Sequence, residues 1–153
     1  RIKVVCNMQL NDATDYSLRV LLYAASRADT RCTAEEVASA FGISRHHVVK
    51  VVHGLGRLGY LATHRGRSGG FTLAQPAARI RIGDIVRKTE STLDVVECFA
   101  PASNACPLAA ACGLQDALGE AMAAFLAVLD RYSLADLLAQ PRWAARVAAV
   151  AAR

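Results

Sequence analysis

The sequence predicts a mainly α-helical chain with one small β-hairpin, and three observations carry this prediction. Two short helical patterns meet at a glycine-containing turn around Gly42. Two short strand patterns, at 60–64 and 71–74, flank a glycine-rich tip. A long amphipathic pattern runs from about Leu114 to Tyr132. Together they predict a winged helix-turn-helix with a small β-hairpin wing and a long dimerisation helix.

Size and composition narrow the class of protein. The chain has 153 residues, of which 54% are hydrophobic and 20% charged, so we expect neither a large multidomain enzyme nor a mainly disordered chain. Apolar runs stay shorter than the ~18 residues of a membrane span, and the first seven residues are too short for an export signal. We therefore expect a cytoplasmic protein with no membrane segment, whose five cysteines are not needed for disulfides.

Capping residues mark the first three helices. Asn11 can cap a helix over about 12–28, and Thr33 with Glu36 forms a capping box that opens a second one. Gly42 ends the second helix, and Ser44 can cap a third. This third helix is predicted to bury one apolar stripe and to turn a basic side outward. The stripe is Val48, Val51, Val52, Leu55 and Leu58. The outward positions are His46, Lys50, His53 and Arg57.

Positive charge concentrates in this part of the chain. Between Val37 and Gly83 there is no acidic residue, and all four histidines fall there with seven basic residues: Arg45, Lys50, Arg57, Arg65, Arg67, Arg79 and Arg81. Such a block fits a phosphate backbone, although a solvated face is the alternative. The candidate DNA-binding residues are Ser44, Arg45, His46, His47, Lys50, Arg65 and Arg67. The glycine-rich tip of the hairpin lacks the residue spacing of a Walker motif, which argues against a nucleotide-binding loop.

The remaining elements suggest the domain organisation. We expect a short helix at 82–90, a loop to 113, a helix at 114–132 for dimerisation or packing on its own domain, and a short helix capped by Ser133. The chain is thus divided into an N-terminal extension (1–10), a DNA-binding domain (11–90), a loop with three cysteines that is the candidate cluster-binding loop (91–113), a dimerisation helix with a short C-terminal helix (114–140), and a tail (141–153) that can be helical.

The loop carries three cysteines with metal-ligand chemistry. Seven residues separate Cys98 from Cys106, and five separate Cys106 from Cys112. Thiolates suit iron-sulfur clusters or zinc, but a thiol redox switch and inert burial stay open. Cys32 is interpreted as a small buried residue, and Cys6 as inert. No nucleophile stands at a recognisable spacing from a base, so we expect no enzyme.

A resemblance extends from Met8 to Leu138. The segments that carry it are Met8-Gln9-Leu10, Asp15-Tyr16-Ser17-Leu18-Arg19, Gly42-Ile43-Ser44-Arg45-His46-His47, Arg65-Gly66-Arg67-Ser68-Gly69-Gly70, and Cys98 with Cys106-Pro107-Leu108 and Cys112. The chain resembles the bacterial iron-sulfur winged-helix transcriptional repressors, and most of all their nitric-oxide-sensing members.

That resemblance implies a cofactor, an effector and partners. It implies a homodimer on a double-stranded DNA operator, with an iron-sulfur cluster, [4Fe-4S] favoured over [2Fe-2S], held by Cys98, Cys106 and Cys112. Asp15 of the partner subunit would complete the coordination and Arg19 would support it. Nitrosylation of the cluster by nitric oxide would release the operator. Gln115 stands where the cluster-biogenesis branch has a histidine ligand. A regulator of iron or cluster status and a zinc-bound DNA-binding module are the alternatives.

Overall fold

The computed structural model contains seven α-helices and one two-stranded sheet within the residues that it describes. Those residues are 9–27, 30–66, 69–100, 102, 104–108 and 111–151. The helices are α1 (Asp12–Ser26), α2 (Ala34–Phe41), α3 (Arg45–Arg57), α4 (Ile82–Thr89), α5 (Gly113–Asp130), α6 (Leu134–Leu138) and α7 (Pro141–Ala151). The strands β1 (Leu61–His64) and β2 (Gly70–Leu73) pair antiparallel. The mainly α winged-helix prediction is confirmed.

The predicted caps form. The Asn11 side chain accepts a hydrogen bond from the Thr14 backbone, and Thr33 and Glu36 make both bonds of a capping box. Gly42, at φ +65°, ends α2 in the left-handed conformation that glycine adopts without strain. Ser44 then caps α3, because its side chain accepts from the His47 backbone. The three caps satisfy backbone amides at the helix ends. Gly42 and Ser44 together fix the turn between α2 and α3.

The core lies between α1, α2, α3, the hairpin and α4. Its largest fully buried side chains include Tyr23, Phe71, Leu21 and Leu55. The wing is joined to this core because Cys32 and Phe71 exchange backbone hydrogen bonds of 2.9 and 2.8 Å. Cys32 itself is 1% exposed, so its interpretation as a small buried residue is confirmed.

Several predicted details differ from the structure. The apolar stripe of α3 is shorter than predicted, because Val48 and Leu55 are buried whereas Leu58 is the C-cap and 38% exposed. The chain turns away there, with Gly59 at φ +77°. The first helix ends at Ser26 rather than near residue 28, which lies outside the described residues, and α5 ends at Asp130, two residues early.

The C-terminal elements pack on α1 and α4. The tail, which could be helical from its sequence, forms α7 and contacts α1, α2 and α6. The end of α5 is fixed to α4 by two bonds of 2.6 Å from the Arg87 guanidinium to the Asp130 carboxylate. This exposed pair raises the pKa of Arg87 and lowers the pKa of Asp130. Among the described helices, none has the length and hydrophobicity to cross a membrane.

Candidate DNA-binding surface and cysteine loop

The first turn of α3 presents polar groups to solvent. Ser44, His46, His47 and Lys50 are all exposed. His47 donates its backbone N–H to the Ser44 hydroxyl at 3.3 Å, which aims the N-terminus of α3 outward. A helix N-terminus carries partial positive charge and unpaired amides, so it suits an incoming phosphate. The structure therefore brings four of the predicted DNA-binding residues onto one surface.

Arg45 lies on the same turn but has an internal partner. Its Nε is 3.2 Å from a Glu35 carboxylate oxygen, and both side chains are about two-thirds or more exposed (68% and 75%). Exposed ion pairs of this kind contribute little, typically ~0–1 kcal/mol, so a DNA phosphate can replace the carboxylate at small cost. Sequence reasoning did not identify this pair, although the capping box already placed Glu35 at the start of α2.

The wing presents part of its predicted basic tip. Arg65 is exposed, whereas Arg67 lies outside the described residues. Gly66 has φ +103°, and a Cβ at Gly70 would collide with the backbone carbonyl of Cys32. Glycine at these two positions therefore permits the tip conformation and the close approach of the wing to the core. His64, at the end of β1 next to the tip, bonds to the Thr72 hydroxyl across the hairpin at 3.2 Å and so links the two strands there.

A chain of contacts links α1 to the start of α3. Arg19 binds the Asp15 carboxylate with a 2.6 Å ion pair, and the two side chains are 41% and 43% exposed. The Arg19 guanidinium carbon lies 5.9 Å from the centre of the Tyr16 ring. That ring in turn stacks on His47, with centroids 6.1 Å apart and an interplanar angle of 26°. The side chains of Arg19 and Tyr16 thus connect Asp15 with His47 on the candidate DNA-binding surface.

Two hydrogen bonds close the cysteine loop. The Ala105 backbone N–H donates to the Glu97 carboxylate at 2.8 Å, which brings together the residues that precede Cys106 and Cys98. The Gln115 side-chain amide donates to the Cys98 carbonyl at 3.2 Å. Gln115 sits in the first turn of α5, directly after its N-cap Cys112. Each bond therefore connects the neighbourhood of one cysteine with that of another.

The donor set of the loop fits an iron-sulfur cluster by its chemistry. Cys98, Cys106 and Cys112 are free thiols of intermediate burial, accessible without being fully exposed. Within the part of the chain that the structure describes, no group of three or more cysteine, histidine or carboxylate side chains is already gathered as a metal site. The loop therefore offers three soft ligands, which would have to come together to share one centre.

The long helix α5 exposes an apolar face. None of its residues is fully buried, and Leu114, Phe125 and Val128 are 66%, 40% and 43% exposed. Tyr132 just beyond it is 39% exposed. An 18-residue helix with this much uncovered apolar area is typical of an association surface.

Sequence reasoning missed three contributors to these sites. Tyr16 has no assigned role in the sequence prediction, although its aromatic ring one position from Asp15 is a usable signal. The loop-closing bond of Glu97 had no signal beyond its place beside Cys98. Gln115 was noted only as a replacement for histidine, yet it occupies that position with a structural hydrogen bond.

Comparisons with known proteins identify the family. Residues 10–140 match the Rrf2 family, described as "Iron-dependent Transcriptional regulator". The chain is 52% identical to the regulator NsrR of Geobacillus kaustophilus over 132 residues, which cover 86% of this chain and 90% of that protein. It is 46% identical to NsrR of Bacillus subtilis with the same coverage. A solved structure of CymR, the global cysteine regulator of B. subtilis, aligns with a TM-score of 0.69 at 22% identity, covering 86% of this chain and 97% of that one.

This chain belongs to the Rrf2 family of winged-helix transcriptional regulators. It is a DNA-binding regulator and not an enzyme. The family match ends at residue 140, so α7 lies beyond it.

Proposed function

We propose that this chain is a cytoplasmic, homodimeric repressor that senses nitric oxide through an iron-sulfur cluster and then releases its operator. Cys98, Cys106 and Cys112 would hold the cluster, [4Fe-4S] favoured over [2Fe-2S], with Asp15 of the partner subunit as the last ligand. When bound, the cluster supplies iron that nitric oxide attacks. The observation that supports this proposal is the cysteine loop, where side-chain hydrogen bonds of Glu97 and Gln115 link the segments that carry three free thiols.

The exposure of Asp15 supports its role as an intersubunit ligand. Its carboxylate is almost half exposed and is held by Arg19, so it can be presented to a second subunit. A carboxylate is a hard ligand, and its bond to a cluster iron is weaker than a thiolate bond. Asp15 would therefore be the most easily displaced ligand of a cluster held there. The alternative is that Asp15 only stabilises the first turn of α1. That alternative gives no role to the contact between Arg19 and the Tyr16 ring.

The contacts of Tyr16 supply a route to the operator. An Asp15 carboxylate that no longer bound the partner's cluster would be free to pull on Arg19, which lies over the Tyr16 ring. Because Tyr16 stacks on His47, a shift of its ring changes the position of the first turn of α3. A coupling of ~1–3 kcal/mol is sufficient for allosteric control, which corresponds to about 5- to 150-fold in operator affinity.

DNA contacts are assigned to α3 and the wing. Ser44, Arg45, His46, His47 and Lys50 would contact base edges or phosphates in the major groove. Arg65 would enter the minor groove, and so would Arg67, two residues further along the chain. The exposed apolar face of α5 would pair two subunits, and a two-fold dimer matches a palindromic operator.

The proposal is tested on protein purified without oxygen. Wild type, Asp15→Ala and the matched control Asp12→Ala, an exposed carboxylate in the same helical turn, are compared by visible absorption and by iron and sulfide analysis. We expect a coloured cluster in wild type and Asp12→Ala, and a depleted or labile one in Asp15→Ala. A cluster in Asp15→Ala with unchanged stability and nitric-oxide sensitivity would remove Asp15 from the mechanism.

The route through Tyr16 has its own test. Tyr16→Phe keeps the ring between Arg19 and His47, whereas Tyr16→Ala removes it. We expect Tyr16→Phe to release operator DNA on nitric-oxide addition as wild type does, and Tyr16→Ala to lose most of the difference between treated and untreated protein. If both variants retain the full difference in operator affinity, the coupling runs elsewhere.

A second candidate function is a response to iron or cluster status, because the matched family is described as iron-dependent. Operator binding is followed while the loaded protein is titrated with nitric oxide and, separately, with an iron chelator. Release at stoichiometric nitric oxide but not with chelator supports nitric-oxide sensing, and the reverse supports iron sensing. Colourless protein with one zinc per chain would instead indicate the zinc-bound module.

A further inference from the structure

We propose that Val49, on the exposed side of α3, contacts the C5-methyl group of a thymine in the operator's major groove and so selects one base pair in each half-site. The inference rests on the proposed function in one respect, because it requires α3 to lie in the major groove. It assigns a role to an exposed apolar side chain that none of the DNA contacts proposed above uses.

Val49 lies among polar and basic side chains of α3. Arg45 and His53 are one helical turn before and after it, and His46 is three residues before it, so these side chains are its neighbours on the helix surface. All three are exposed. The remaining neighbour at this spacing, Val52, is half-buried and packs against the core. The apolar surface of Val49 is therefore exposed between a guanidinium group and two imidazole rings.

The fold of the subunit does not account for a valine at this position. Val49 is 43% exposed, whereas Val48 and Leu55 of the same helix are buried in the core. A β-branched residue is less favourable in a helix than alanine, so Val49 contributes neither full burial nor helix propensity. Within α3, all of which the structure describes, it is the one large hydrophobic residue that is exposed. Isolated exposed valines are common, so the assignment depends on what this side of α3 meets.

The major groove offers one apolar group on the edges of the bases. An α-helix with its side chains is about 10–12 Å across and fits a groove about 12 Å wide. The base edges there present nitrogen- and oxygen-bearing groups, and only thymine adds a methyl group, on C5. Valine has no hydrogen-bond donor or acceptor in its side chain. The thymine methyl is therefore the group that Val49 can contact without leaving a polar partner unsatisfied.

The residues around Val49 allow this contact to select a base. Arg45, which is held only by an exposed ion pair, and Lys50 can bind phosphates and so fix the position of α3 in the groove, but phosphate contacts carry no sequence information. The valine side chain is short and has few rotamers, so it reaches only a group that projects towards the helix. A cytosine in the same place has no methyl group and presents an amino group that Val49 leaves unpaired. Val49 therefore favours thymine over cytosine.

The test removes single methyl groups from the operator. An operator is first selected from random duplexes with wild-type protein purified without oxygen. Each of its thymines is then replaced singly by deoxyuridine, which lacks only the C5-methyl group. We expect one thymine in each half-site at which this replacement weakens wild-type binding about fourfold, the effect of losing one buried CH2-sized group. Val49→Ala should show no loss at that thymine, and its losses at all other thymines should equal those of wild type.

Two further variants and one further base serve as controls. Val95→Ala makes the same change at a valine of similar exposure, 38%, that lies outside α3, and it should keep the full wild-type loss at the assigned thymine. Val49→Ile retains an apolar side chain and should keep that loss as well. In place of the assigned thymine, 5-methylcytosine should be bound more tightly than cytosine by wild type and equally well by Val49→Ala.

The same pattern of uracil losses in wild type and Val49→Ala would overturn the inference, even if the variant bound every duplex more weakly by a common factor. Such a factor would indicate that Val49 acts on the position of α3 and not on a base. A wild type with no uracil-sensitive thymine in its selected operator would also overturn it.

Failure of this inference differs from failure of the proposed function. The uracil pattern reports only how bases are recognised, whereas the proposed function also requires a cluster and release by nitric oxide. A coloured wild type that releases its operator on nitric-oxide addition, but has no thymine whose methyl group depends on Val49, contradicts only the base contact. A colourless wild type, or one that keeps its operator in nitric oxide, contradicts the proposed sensing, and the uracil pattern of its bound DNA still decides the role of Val49.

Discussion

The N-terminal region, residues 11–90, and the cysteine-loop region, residues 91–130, are built in opposite ways. The N-terminal region contains most of the core, with side chains such as Val20, Leu21 and Ile85 at 0% exposure. The cysteine-loop region has no buried residue in α5, and its loop is closed by two side-chain hydrogen bonds. The N-terminal region therefore folds by burying its own apolar surface, whereas the cysteine-loop region leaves thiols and an apolar helix face accessible.

The largest expected effect comes from removing one phenylalanine from each region. Phe71 is 1% exposed in the core, so Phe71→Ala should cost about 3–5 kcal/mol of unfolding free energy. Phe125 is 40% exposed on α5. In dilute, cluster-free monomer, Phe125→Ala should therefore change the unfolding free energy by about 0.5 kcal/mol or less. Urea unfolding of both variants measures the difference. Equal losses would mean that α5 is packed within its own subunit and that the comparison is wrong.

The next effect concerns the thiols of the two regions. Burial raises the pKa of Cys32 to about 11, with the nearby Glu36 carboxylate acting in the same direction. A rise of about two units lowers its thiolate fraction at neutral pH roughly a hundredfold. In cluster-free native protein, iodoacetamide should therefore modify the half-buried Cys98, Cys106 and Cys112 while Cys32 stays free, as mapped by peptide mass spectrometry.

The control for Cys32 is the same reaction in urea. Unfolding removes its desolvation, so Cys32 should then react like the other thiols. Its native rate should also rise as the pH approaches 11, because the thiolate is the reactive form. Rapid labelling of Cys32 in the native protein at pH 7 would show that the N-terminal region unfolds locally as readily as the cysteine loop.

Much of the N-terminal region could be predicted from sequence because its local capping and turn signals agree with one another. Asn11, Thr33 and Ser44 are caps whose bonds reach only three residues along the chain, and Gly42 supplies the conformation that ends α2. The one clear error, Leu58 in the buried stripe, came from extending a helical period past the point where the chain leaves the helix.

The cysteine-loop region was less predictable because its contacts join residues far apart in sequence. Glu97 and Ala105 are eight positions apart, and Gln115 reaches back seventeen to Cys98. The path from Asp15 to His47 depends on how α1 packs against α3, which no spacing encodes. The cysteine spacing indicated a ligand set, but the roles of Asp15, Arg19 and the three thiols stay predictions.

A smaller effect is expected at the bond that closes the loop. Gln115→Ala removes the donor to the Cys98 carbonyl, a hydrogen bond with a net contribution of about 1 kcal/mol. Alkylation of Cys98 in cluster-free protein should become several-fold faster. Gln115→Glu is the matched variant, since it keeps the chain length but has no N–H to donate. If Gln115→Glu behaves as wild type, the residue acts by packing and the loop is closed in another way.

The smallest effect tests the place where the two regions are joined. Hydrogen bonds from Arg87 lower the pKa of Asp130 below its unfolded value, so the pair stabilises the fold above the pKa of an unfolded aspartate. That contribution is lost as the pH falls through the lowered pKa of the folded protein. Asp130→Asn should therefore lower the melting temperature slightly at pH 7, and the difference from wild type should shrink as the pH falls below about 4.

Glu120→Gln is the control for Asp130, because Glu120 is an exposed carboxylate on the same helix with no ion pair among the residues described. Its melting temperature should follow wild type at every pH. A difference between Asp130→Asn and wild type that stays constant down to pH 3 would mean that the charge of Asp130 does not stabilise the contact between α4 and α5, since asparagine keeps the shape of the side chain. The end of α5 would then be held to α4 by its other contacts, and acid would leave the contact between the N-terminal region and the cysteine-loop region intact.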